Sequence, residues 1–216
     1  MDAVIFLKNI EILKKEYKKW NAPIVTFISV QTKDPYKVLL STLLSLRTKD
    51  EVTASAARRL FKKADTPEKI ILLSENEIRD LIYPVGFYKQ KSKTILDVSQ
   101  RLINEYGSKV PDDLDTLLSF KGVGRKTANL VLSLGFGKDT ICVDTHVHRI
   151  SNRWGIVDTK TPEETEFALM DKIPKKNWSA INDLMVAFGQ TVCRPVGPKC
   201  GECRILKCPS RKQELS

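Results

Sequence analysis

Two glycines one residue apart, Gly122 and Gly124, lie between apolar runs of helical spacing, and they limit the local fold more than anything else in the chain. Leu114, Leu117 and Leu118 come before them, and Ala128, Leu130, Val131 and Leu132 come after. Pro111-Asp112 supplies a start signal for the first run, so the segment reads as helix, short turn, helix. Glycine lets a backbone bend tightly and approach another group closely. The second helix then aims its unpaired N–H groups, and the positive end of its dipole, into the turn. The result is a backbone anion site. Val123, between the glycines, is expected to plug the turn into the core.

The nine residues Phe120-Lys121-Gly122-Val123-Gly124-Arg125-Lys126-Thr127-Ala128 complete the helix-hairpin-helix pattern. Many such hairpins only hold DNA, so the pattern alone does not imply catalysis. The formal net charge of +10 over 216 residues favours a polyanionic partner, and DNA phosphate is the anion expected at the turn. Hydrophobic residues at 42% and charged residues at 29% suit a soluble globular chain. The longest apolar-rich stretch, Val38 to Leu46, is too short to span a bilayer. The expected location is intracellular and cytoplasmic, nucleoid-associated in a prokaryote, with no membrane partner.

Nearly every long segment reads as helix. Tyr36–Leu46 places Leu39, Leu43 and Leu46 on one face, and Val52–Phe61 is rich in alanine. Ser74-Glu75-Asn76-Glu77 is a capping box, and Gly107 stops a helix over Ser92–Tyr106. Thr161-Pro162-Glu163-Glu164 is a second helix start, and Trp178–Phe188 is a further amphipathic run. Ile24–Val30 alone looks like a strand. The fold class is all-α.

Cys193, Cys200, Cys203 and Cys208 are four of the five cysteines and are separated by gaps of six, two and four residues. Core packing does not account for four thiols in one basic loop, and disulfides are rare inside cells. Metal binding is the default, as zinc or as an iron–sulfur cluster. Only Cys200-Gly201-Glu202-Cys203 forms a knuckle, so a [4Fe–4S] cube suits the loop better than zinc. Cys142, flanked by apolar residues, reads as a small buried hydrophobe.

The hairpin ending in Lys126, the segment Val143-Asp144-Thr145-His146 and the cysteine loop follow one another in the order of the endonuclease III family of DNA glycosylase/AP lyases, which this chain resembles. Ser45-Leu46-Arg47-Thr48-Lys49-Asp50 and Val85-Gly86-Phe87-Tyr88 add to the likeness, which covers roughly Pro35 to Pro209. The resemblance implies two helical domains flanking a DNA-binding cleft. One is a six-helix barrel over 32–137 that contains the hairpin. The other joins 1–31 to 138–216 and carries the iron–sulfur loop at 193–208. It further implies a monomer acting on double-stranded DNA with damaged pyrimidines or abasic sites, flipping the damaged base out of the duplex.

Displacing a base from C1′ of a sugar needs a nucleophile, and an amine yields a Schiff base that permits β-elimination of the 3′ phosphate. By resemblance Lys126 is that amine and Asp144 the carboxylate that stabilises positive charge on the sugar. Asp144 also reads as the N-cap of a helix starting at Thr145. His146 orders the loop around it and joins the expected DNA contacts, while His148 reads as structural. Arg47 and Phe87 correspond to the groups that fill the space left by the flipped nucleotide. Lys49, Lys91, Lys121 and Arg125 add positive charge in the segments expected to touch DNA, with Gly122, Val123 and Gly124.

Three positions depart from the family's usual pattern: Arg47 replaces a common Gln, Lys121 replaces a common Pro, and the last cysteine gap is one residue short. The expected activity is base-excision repair by a bifunctional glycosylase/AP lyase for oxidised pyrimidines such as thymine glycol. Two other readings stand beside it. A monofunctional mismatch glycosylase of the same fold would lack the lysine. A non-catalytic DNA-binding module leaves Lys126 and Asp144 unexplained.

Overall fold

In a computed structural model, Met1–Arg211 are described; residues 212–216, the end of the terminal domain read from the sequence, lie outside them. The described chain is helical throughout, without strands. In order, the helices are α1 (Ala3–Glu16), α2 (Ile24–Thr32), α3 (Pro35–Ser45), α4 (Asp50–Lys63), α5 (Pro67–Ile70), α6 (Glu75–Ile82), α7 (Tyr88–Tyr106), α8 (Leu114–Leu118), α9 (Arg125–Phe136), α10 (Thr145–Trp154), α11 (Pro162–Lys172) and α12 (Trp178–Thr191). No described helix is long and apolar enough to cross a membrane.

The chain forms two compact units, Ile24–Lys138 and Met1–Pro23 with Asp139–Ser216. The central unit is built round α3. Asp34 caps this helix by accepting from Tyr36 N at 2.9 Å, and Pro35 occupies its first turn. Val38, Leu39, Leu40, Leu43 and Leu44 are all buried, so the helix is covered on most of its circumference and packs against α2, α4, α7 and α9. The Tyr36 hydroxyl meets Ser99 Oγ at 2.6 Å and joins α3 to α7.

The segment expected as a strand is helix α2. Val25, Ile28 and Ser29 recur at helical spacing and bury one face, while Ser29 Oγ donates to Leu134 O at 2.7 Å. Packing outweighs the strand preference of its β-branched residues. This packing also moves the boundary of the central unit to Ile24, ahead of the expected Thr32.

The expected capping box at Ser74 is formed, with Glu77 N donating to Ser74 Oγ and Ser74 N to Glu77 Oε2. Thr161 caps α11 through Glu164 N, and Gly107 ends α7 at φ 55°. The Trp178–Phe188 run lies within α12.

The terminal unit packs α1, α10, α11 and α12 round Phe6, Ile10, Trp154, Met185 and Phe188. Phe6 and Trp154 meet edge-on, with ring centroids 5.7 Å apart. Buried Asn9 ties α1 to the cysteine loop, donating to Leu206 O at 3.1 Å and accepting from Leu206 N at 2.8 Å. Cys142 is buried, as expected.

Candidate functional site

The hairpin forms between α8 and α9. Its first helix starts one residue later than the sequence signal, because Asp113 rather than Asp112 accepts from Thr116 N. The two glycines have different reasons to be there. Gly122 has φ +86°, and a Cβ on it would lie 2.8 Å from Thr94 Cγ2, so the fold itself demands glycine. Gly124 has an ordinary φ of −91°, and a Cβ there would meet nothing within 4 Å. Nothing inside the protein requires glycine at that second position. As the N-cap of α9 it offers no side chain to the helix's first amides.

Val123 is buried, as expected of a plug, and its N–H donates to Phe120 O at 3.0 Å. Lys121 is exposed, and Arg125 and Lys126 are half-buried on the first turn of α9. Arg101, which the sequence reading missed, steadies the entrance. It stacks on Phe120 at 4.4 Å and donates to Ser119 O at 2.8 Å.

The structure brings Arg47, Phe87 and Lys91 together within the central unit. Arg47 and Phe87 both have left-handed backbones, at φ 52° and 57°, which non-glycine residues seldom adopt. The Arg47 guanidinium lies 5.5 Å from the centre of the Phe87 ring. Phe87 is 63% exposed and therefore is not the core aromatic its composition alone would suggest. Lys49 is exposed as the N-cap of α4.

Lys91 departs from expectation. It is buried rather than presented to DNA, and its ammonium donates to Leu44 O at 2.9 Å, Leu46 O at 2.5 Å and Thr48 Oγ1 at 3.3 Å. Burial pulls its pKa down to about 8.

Lys126 belongs to the central unit and Asp144 to the terminal one. Asp144 caps α10, and its Oδ1 accepts from His146 N and Val147 N, both at 2.8 Å. The second carboxylate oxygen takes no part in the cap. His146 is half-buried against α12, where a Cβ on Gly189 would meet its Nδ1 at 2.6 Å. Arg149 donates to that Nδ1 at 3.1 Å and to Cys193 O at 2.9 Å. His146 is thus held against α12 through Nδ1. His148 meets Thr165 Oγ1 at 2.7 Å, in keeping with a structural role.

Cys193, Cys200, Cys203 and Cys208 line one cavity of about 200 Å³ whose walls include Trp154, Phe188, Val192 and Pro198. Among the described residues, no three His, Cys, Asp or Glu side chains converge as a single-ion site. Arg153 donates to Cys193 Sγ at 3.5 Å, and burial pushes the Cys203 and Cys208 thiols up in pKa.

Residues 40–175 match the HhH-GPD superfamily base excision DNA repair protein family. The chain is 50% identical to endonuclease III of Thermotoga maritima over 170 residues, covering 79% of this chain and 80% of that protein. A trapped endonuclease III–DNA covalent intermediate (an estranged-adenine complex) superposes with a TM-score of 0.88 at 32% identity, covering 97% of each chain. A thermostable thymine-DNA glycosylase gives 0.82 at 25% identity, covering 97% of this chain and 96% of the other. These matches, with the all-helical fold and the complete hairpin, show that the chain belongs to the endonuclease III family of base excision DNA repair proteins.

Proposed function

We propose that the chain is a bifunctional DNA glycosylase/AP lyase that removes oxidised pyrimidines, thymine glycol among them, from double-stranded DNA. The observation that carries the reading is Lys126 on the first turn of α9, beside a glycine that the protein's own packing does not require. A bare Gly124 lets a DNA phosphate approach the amides of that turn, and the helix dipole favours the anion. The phosphate then fixes the sugar relative to Lys126.

In this reading Lys126 Nζ attacks C1′ as the glycosidic bond breaks, and the base leaves with the bonding electrons and takes up a proton. The attached sugar opens to a Schiff base. Loss of a proton from C2′ then expels the 3′ phosphate by β-elimination. Asp144 stabilises the positive charge that develops on the sugar and relays protons. Arg47 and Phe87 occupy the space the nucleotide leaves, as exposed side chains on strained loop tips. The solved likeness with a covalent DNA intermediate supports an amine mechanism, and Lys126 weighs against a monofunctional enzyme.

Mixing the native protein with an abasic-site duplex and borohydride tests the reading. A covalent protein–DNA adduct is the expected result, and its absence would remove the lyase activity. Binding of undamaged duplex with neither an adduct nor release of a damaged base would leave a DNA-binding module.

The cysteine loop fits a [4Fe–4S] cluster. Its donors are four thiols, soft ligands suited to iron–sulfur chemistry, and they surround a largely apolar cavity wider than one ion needs. Cys193, Cys200, Cys203 and Cys208 would hold it, where it supplies a rigid, thiolate-bound cross-link for the loop. The purified protein should be brown and contain about four irons per chain by metal analysis. One zinc in a colourless protein would decide the metal otherwise.

A further inference from the structure

Lys89 and Lys93 are exposed, whereas Lys91 between them turns inward. Its three acceptors lie at the end of α3 and in the turn that carries Arg47. The last carbonyls of a helix lack internal donors, and a cation is a favourable partner for them. The same turn is joined to the Phe87 loop. Thr48 Oγ1 accepts from Gly86 N at 3.1 Å, and Gly86 lies so close that a Cβ on it would meet Arg47 O at 2.5 Å. Lys91 N in turn donates to Phe87 O at 3.0 Å. One residue therefore ties together both loop tips whose backbones are left-handed. Such conformations persist only where the surroundings over-determine them, and the Lys91 ammonium, the Thr48 hydroxyl and the close approach of Gly86 provide that constraint.

We infer that Lys91 is a positioning residue for nucleotide extrusion, holding Arg47 and Phe87 as one preassembled pair without itself touching DNA. The inference rests on the reading of Arg47 and Phe87 as the groups that fill the vacated stack. Its distinctive consequence is substrate-dependent. Extrusion from a duplex leaves a gap and an orphaned partner base, whereas an abasic site in a single strand leaves neither.

Lys91→Met keeps the apolar stem and removes the ammonium. Single-turnover release of thymine glycol from a duplex should slow by about tenfold or more, as expected when a reacting geometry is displaced by a fraction of an ångström. Strand cleavage at an abasic site in single-stranded DNA should stay within about twofold of native, since that reaction does not need the misplaced groups. Lys91→Arg, which keeps the charge, should recover part of the duplex rate. In a double-mutant cycle with Arg47→Ala, the two losses should fall well short of additive, because both act through one contact. Equal losses on the two substrates, or additive losses in the cycle, would overturn the inference and leave Lys91 a residue of the fold. Should Lys91→Met not yield folded protein, Thr48→Val makes the same two-substrate comparison, and an unchanged duplex rate there would also overturn it. Failure of the underlying reading has its own signature: Arg47→Ala and Phe87→Ala would each excise at the native rate, which takes the inference down with it.

Discussion

Lys126→Gln should leave duplex binding nearly intact and abolish the borohydride adduct, with strand cleavage at abasic sites falling by at least ~10³-fold, the scale on which loss of a covalent nucleophile is felt. Gln has nearly the length of the native side chain and tolerates a helix interior, so α9 should keep its start at Arg125. The turn that would hold phosphate does so through backbone groups at Gly124 and the residues after it, and those remain. What disappears is the primary amine, without which no Schiff base can form. The affinity should lose only the share owed to one cation, visible as a slightly shallower fall with salt. Gel-resolved adduct yield and binding titrations at matched salt measure the two effects separately. An undiminished adduct from Lys126→Gln would move the nucleophile to another amine.

Much of this was open to sequence reasoning because it is local. The Ser74 box, the Thr161 cap, the stop at Gly107 and the Asp144 cap each depend on residues within a few positions of one another, and all four are formed. The plug at Val123 follows from the hairpin pattern in the same way. What stayed hidden depends on distance along the chain. Lys91 sits in a basic run that reads as a DNA-facing surface, and the carbonyl that draws it inward is forty-five residues away. Arg101, eighteen residues from the Ser119 carbonyl it holds, was missed for the same reason. Helix α2 shows a different limit. The sequence Ile24-Val25-Thr26-Phe27-Ile28-Ser29-Val30 is rich in strand-favouring residues, yet Val25, Ile28 and Ser29 already carry the helical period that its packing uses. Local preference there favours a strand, and tertiary burial decides for the helix. His146 was legible as part of a motif, but its direction was not. The neighbour that receives it, Gly189, lies on another helix.

Asp144→Asn isolates the charge from the cap. In the native chain both cap bonds go to Oδ1, leaving the carboxylate's other oxygen outside that role. Asn is as good an N-cap as Asp, so its side-chain oxygen can accept from His146 N and Val147 N in the same way. Stability should therefore change by less than about 1 kcal/mol, the usual worth of a whole cap, and α10 should keep its start at Thr145. Glycosylase turnover should nevertheless fall by about 10²–10³-fold, the scale on which losing one electrostatic stabiliser of a transition state is felt. Binding of an abasic-site duplex should be retained or slightly tighter, because one negative charge near a polyanion is gone. Asp144→Ala supplies the comparison: it should match Asn in turnover and lose about 1 kcal/mol more in thermal or denaturant unfolding. If Asn turned over near the native rate while Ala did not, Asp144 would be a cap alone, and the charge that steadies the sugar would have to come from elsewhere.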